Sequence, residues 1–155
     1  MLGNDFEVMN GGFGMRIELI YATKTGHSRK IALGVAKELG ITAQDIKDNP
    51  KLENVDMLFI VGGIYGGKSM PELITYVKSL SKDSVKRAAL LTSSAGLKTP
   101  QTEVRQILSE NGVTVVEDEF KCKGKFIFVS RKHPNEEDIN NAVVFAKRMI
   151  AEGAL

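Results

Sequence analysis

Tryptophan is absent from the 155 residues, and the chain has one cysteine, Cys122, and two histidines, His27 and His133. A single thiol closes no internal disulfide, and these three side chains are too few for a structural zinc site. Cysteine usage of this kind fits a reducing, cytoplasmic setting. No apolar run approaches the roughly 18 residues that read as a membrane span. The N-terminus lacks both the basic start and the apolar core of a signal peptide. Neither sign of charge dominates, since 21 basic and 19 acidic residues leave a net charge of +2. That is too weak to argue for a nucleic-acid partner.

What remains is an ordinary globular composition, 43% hydrophobic and 26% charged. The length suits one domain with a full core. Residues 1–14 carry neither a helix nor a strand period, and Met15 stands directly before the first apolar run. We therefore expect a leader over 1–14, read as an exposed arm, and a folded domain over 15–155. Leaving out Asp5 and Glu7 of that leader gives 21 basic against 17 acidic residues, a net of +4.

From Arg16 onward, strand and helix signals alternate. Arg16 to Ala22 predicts a first strand, covered on both faces. Thr23-Lys24-Thr25-Gly26-His27-Ser28 follows as a short hydroxyl loop. Ile31, Val35 and Leu39 recur at spacing four and give the first helix its buried stripe, which Gly40 ends. Ile41 to Ile46 predicts a short second strand. Val55 to Val61 is a continuous apolar run, as in a central parallel strand, and it leads into a loop, Gly62-Gly63-Ile64-Tyr65-Gly66-Gly67. Ser69 and Glu72 have the spacing of a capping box, with Leu73, Ile74, Val77 and Leu80 pointing inward behind it. Arg87 to Thr92 predicts a fourth strand and Ser93-Ser94-Ala95-Gly96 the loop after it. Thr99-Pro100 reads as a cap with proline at the first helical position, and Asn111-Gly112 ends that helix. Val113 to Val116 and Glu119 to Val129 predict a fifth strand interrupted near Glu117-Asp118. Asn135 caps a last helix with a stripe of Ile139, Ala142, Val143, Ala146 and Ile150.

Five strands alternating with four helices predict one parallel sheet with helices on both faces. Ligands of such sheets bind beyond the carboxyl ends of the strands. The loops that meet there follow the first, third and fourth strands, and all three are rich in small or hydroxyl residues. The first places backbone N–H groups, hydroxyls and the positive end of a helix dipole together, which is a site for an anion and most naturally a phosphate. The bland alternative is that Thr23 and Thr25 only cap the helix.

Here the sequence resembles the flavodoxin family. Thr23 to Ser28 fit its pattern of hydroxyl, any residue, Thr, Gly, variable residue, hydroxyl after the first strand. The glycine-flanked second loop, the Ser/Gly third loop, Glu119 to Phe126 and His133-Pro134-Asn135 follow in the family's order. The resemblance covers Met15 to the C-terminus. It implies a flavodoxin-like α/β three-layer sandwich with a five-stranded parallel sheet of order 2-1-3-4-5, and a site for FMN. Thr23, Lys24, Thr25, Gly26, His27 and Ser28 would hold the phosphate. Gly63, Ile64, Tyr65, Gly66 and Gly67 would line the flavin ring, and Ser93, Ser94, Ala95 and Gly96 would meet its pyrimidine end. Tyr65 is the only aromatic in the three loops and the candidate ring plate. Its alternative is a tyrosine folded back onto the protein. The alternative for the glycines, likewise, is that they serve only the turns.

The resemblance implies an electron carrier that meets redox partner proteins, with neither catalytic residues of its own nor a metal. The domain is basic where the family is typically acidic, so an acidic partner is expected. Alternatives are a flavin-dependent quinone reductase or oxidase of the same fold, or a binding module that has lost flavin. A phospho-receiver would need paired aspartates after the first strand, and nucleotide triphosphate hydrolysis a glycine-lysine loop; both are missing. Lys121, Lys123 and Lys125 share one face of the fifth strand and read first as guards of a sheet edge, second as contacts for an acidic partner. Cys122 alternates with them, so it faces inward as an inert thiol with Phe120 and Phe126. His133 reads as a loop residue.

Overall fold

The computed structural model describes residues 5–7, 14–94, 100–123 and 134–153. β1 (Asp5–Glu7) lies within the expected leader and pairs antiparallel with the start of β2 (Gly14–Tyr21). β3 (Ala43–Asp45) and β4 (Val55–Tyr65) flank β2 in parallel. β6 (Val85–Ser94) then pairs with β4, and β7 (Thr114–Lys123) with β6. The parallel strands therefore run β3-β2-β4-β6-β7, which in chain order is the expected 2-1-3-4-5.

Alternation along β2 divides the interior. Ile17, Leu19 and Tyr21 face α1 (His27–Leu39) and α4 (Glu136–Gly153), whereas Ile20 and Ala22 face the layer of α2 (Pro71–Lys78) and α3 (Thr102–Glu110). Both layers are dry and deep. Phe59 on β4 is fully buried, worth roughly 3 kcal/mol of transfer free energy. The expected stripes of α1 and α4 are in place, and Gly40 ends α1 at φ 70°. Asn135 and Asp138 cap α4 reciprocally, each side chain accepting the other's backbone N–H at 2.8–2.9 Å. β2 carries one buried charge. Glu18 is buried, accepts from Gln44 Nε2 at 2.7 Å and lies 3.5 Å from Arg16 Nε.

Three expectations are corrected. β4 does not stop at Val61 but runs to Tyr65, so Gly62, Gly63, Ile64 and Tyr65 are strand and not loop. Glycine is used there because the strand is closely covered: a Cβ on Gly62 would stand 2.9 Å from Leu73 and 3.0 Å from Gln101 Oε1. The turn is Gly66-Gly67 alone, both at positive φ, and it forms a two-residue hairpin into β5 (Lys68–Ser69). The capping box is also corrected. Ser69 is consumed by pairing with Ile64, and α2 starts from Met70 with Pro71 at its first position. Finally, α3 starts at Thr102 after Gln101 and not at Pro100, while Thr99 lies outside the described residues. The interruption near Glu117-Asp118 is a bulge within a continuous β7: Val116, Glu117 and Asp118 stand against Ala89 alone.

Candidate functional site

Three strand ends meet at one edge of the fold. At the end of β2, Gly26 adopts φ 91°, turns the chain into α1, and lends no side chain to the first helical turn. Its N–H donates to Thr23 Oγ1 at 2.8 Å, and its carbonyl accepts the first helical bond from Lys30 at 3.1 Å. A Cβ on Gly26 would meet nothing within 4 Å. The backbone is therefore open to an approaching group. Thr25 and His27 side chains are hydrogen-bonded, Oγ1 to Nδ1. Thr25 and Lys24 are exposed, whereas Ser28 is buried.

Two long-range contacts join this loop to the other strands. Ser28 Oγ lies 3.3 Å from Ser93 Oγ on β6. The Lys24 backbone N–H donates to Tyr65 Oη at 3.2 Å, and Lys24 Nζ lies 5.6 Å from the centroid of that ring. Gly63 makes this possible, since a Cβ there would lie 2.6 Å from Tyr65 Oη. Tyr65 is thus laid back across Gly63 toward the first loop. Ser93 and Ser94 are buried strand residues, paired with Gly63 and Ile64. Gly66 and Gly67 are exposed at the hairpin tip. Ala95 and Gly96 lie outside the described residues, as do Lys125, Phe126 and His133. A groove of about 470 Å³ opens beside Tyr65, lined among others by Lys24, Lys68, Ser69 and Glu72.

The donor set suits a phosphate monoester. An uncapped helix start, a left-handed glycine with open space above it and threonine hydroxyls stand together, with no carboxylate from Thr23 to Ser28. Among the described residues no cluster of three His, Cys, Asp or Glu is placed to hold a metal ion. No helix of those residues is long and apolar enough to cross a membrane. Cys122 packs against the α1–α4 layer, and burial, helped by the Asp138 carboxylate, pushes its thiol up to about 12. It packs there as a small apolar side chain.

The sequence did not reveal a buried polar network behind β6, made by Thr92, Gln101, Arg105 and Glu119. Its members are separated by up to 27 residues. Glu119 is the last of three consecutive acidic residues, Glu117 to Glu119, and nothing in the sequence sets it apart from the other two.

A parallel sheet of this order, covered by helices on both faces, defines a doubly wound α/β fold. A family model described as a flavodoxin domain matches residues 18–127, and the chain belongs to the flavodoxin family. It is 31% identical over 138 residues to an uncharacterized protein of Methanocaldococcus jannaschii, covering 80% of this chain and 90% of that one. Among solved structures, a flavodoxin from the domain Archaea superposes with a TM-score of 0.66 at 12% identity, over 90% of this chain and 99% of the other. An NAD(P)H:quinone oxidoreductase from Methanothermobacter marburgensis gives 0.60 at 11%, over 86% and 94%. Family and fold together support flavin-binding electron transfer or flavin oxidoreductase chemistry, with FMN the typical flavin of the family.

Proposed function

We propose that this chain binds FMN and passes electrons between partner proteins. The reading rests on one observation: the Ser28–Ser93 and Lys24–Tyr65 contacts join the ends of β6 and β4 to the loop that opens α1. Bound FMN supplies a ring that accepts and returns electrons one at a time. The chain's own residues bind and orient it. N–H groups and hydroxyls of Thr23 to Ser28 hold the phosphate, aided by the Lys24 charge. Gly63, Ile64, Tyr65, Gly66 and Gly67 form one wall of the ring site, with Ser93, Ser94, Ala95 and Gly96 at its pyrimidine end.

Lys24 and Lys68 are exposed beside this site, and Lys121 on β7 is exposed as well. These cations suit an acidic redox partner, since complementary charge sets docking rate and partner choice. Such a carrier works in the cytoplasm. A flavin-dependent quinone reductase is the second reading, favoured by the groove beside Tyr65.

Titrating the flavin-free protein with FMN, while following flavin fluorescence, tests the proposal. Quenching at micromolar FMN is expected; its absence would favour a binding module without flavin. NAD(P)H oxidation with a quinone by the protein alone would establish the second reading instead.

A further inference from the structure

We infer that Glu119 is a positioning residue for the β6 side of the site, holding the backbone that addresses the flavin ring. The inference rests on the FMN reading. Glu119 follows the bulge of β7, and its side chain is only 5% exposed. Its Oε2 accepts two hydrogen bonds, from Thr92 Oγ1 at 2.6 Å and from the Gln101 backbone N–H at 2.8 Å. Thr92 directly precedes Ser93 and Ser94, and Gln101 directly precedes α3. Gln101 Nε2 completes the closure by donating to Thr92 Oγ1 at 3.0 Å and to the Leu91 carbonyl at 3.2 Å. The second oxygen, Oε1, meets Arg105 Nη2 at 3.2 Å, and Arg105 Nη1 donates to the Val116 carbonyl in the bulge at 2.8 Å. One carboxylate therefore ties together the end of β6, the start of α3 and the bulge of β7.

Stability alone is a poor account of this arrangement. A buried ion pair often contributes no more than apolar side chains of the same size. The neighbouring elements are already held without it, because β6 and β7 share a continuous parallel ladder and α3 is anchored by buried Val104 and Leu108. The ladders hold β6 on both sides through Ser94, and what the carboxylate adds is a direct tie from Thr92 to the Gln101 backbone at the entry to α3, both bonds made by the single atom Oε2. The network even tolerates a cost for this geometry, since Gln101 Oε1 is buried with no partner. Thr92 lies one residue from Ser93, which the FMN reading sets at the pyrimidine end of the ring, so a shift at Glu119 reaches the ring side of the site in two steps.

Glu119→Gln preserves size and removes the charge, while Thr92→Val preserves the charge and removes one donor. In the flavin-free protein, amide exchange at Gln101 is expected to quicken about tenfold in Glu119→Gln. Riboflavin and FMN should each bind about tenfold more weakly, with inorganic phosphate affinity unchanged within about twofold. Thr92→Val should show a smaller loss of the same kind, and the double variant less than the product of the two, because they share one oxygen. Unchanged exchange at Gln101 overturns the inference. So does an equal weakening of riboflavin and phosphate that tracks the fall in melting temperature, which is the signature of a purely structural role. If the unaltered protein binds neither FMN nor riboflavin, the FMN reading falls together with the ring-directed half of this one. The exchange rate then still decides whether Glu119 holds the segment.

Discussion

The two ends of the candidate site are built by different means. The proposed phosphate end is six consecutive residues, Thr23 to Ser28, whose shape follows from a left-handed Gly26 and the start of a 13-residue helix. The ring end draws on Gly63 to Gly67, Ser93 and Ser94, and takes its shape from a hairpin, a parallel ladder and a buried network. A local site depends on backbone geometry, so one wrong side chain can abolish it without disturbing the fold. A composite site spreads its dependence over many residues, and single changes there should do less.

The largest effect is therefore expected at the phosphate end. Thr25→Asp places a carboxylate where the proposed phosphate dianion would sit, and FMN affinity should fall by at least about a hundredfold by charge repulsion. The fold should persist, since an acidic side chain at a helix start is favourable by about 0.3–1 kcal/mol. Circular dichroism together with FMN titration separates the two. Unchanged affinity would refute the phosphate assignment.

Tyr65 tests the ring end, with an intermediate effect. If its ring is a plate for flavin, Tyr65→Ala should weaken FMN about tenfold, in line with an aromatic stacking contribution of about 1 kcal/mol or somewhat more. Tyr65→Phe keeps the plate and loses only the bond to the Lys24 N–H, so a change of about threefold or less is expected. Equal losses in both variants would mean that the hydroxyl, and not the ring, is what matters. Tyr65 would then serve as a strut between β4 and the first loop.

The same contrast explains what could be read from the chain directly. The turn from β2 into α1 was legible because hydroxyl, glycine and helix start are neighbours in sequence; alternation gave the parallel sheet, and the resemblance implied its strand order. The hairpin was not legible. Gly62 and Gly63 look like turn residues, yet they are strand glycines required by Leu73, Gln101 and Tyr65, which come close only in three dimensions. Ser69 and Glu72 have capping-box spacing, but pairing with Ile64 outweighs a helix cap of about 1 kcal/mol. Glu119 is silent in sequence for the same reason, since each of its partners lies on another segment.

The test in which FMN should have no effect concerns the firmness of the ring end. Cys122 is in register with Ser93 on β6. Its thiol is held at about 12, first by burial and then by Asp138. A folded-state pKa above the unfolded one means that the unfolded chain gives up this proton first as pH rises. The contribution is therefore intact at neutral pH and is lost between the ordinary thiol value and about 12. At pH 8 the native thiol should react with an aromatic disulfide reagent on the order of a thousandfold more slowly than in denaturant, following the thiolate fraction. FMN should leave that rate unchanged, because the packing that protects Cys122 comes from Phe120 and α4 and not from ligand. A native rate close to the denatured one would show β7 parting from β6 without global unfolding. The Ser93 wall would then be mobile, and the ring end would differ from the phosphate end in order as well as in construction.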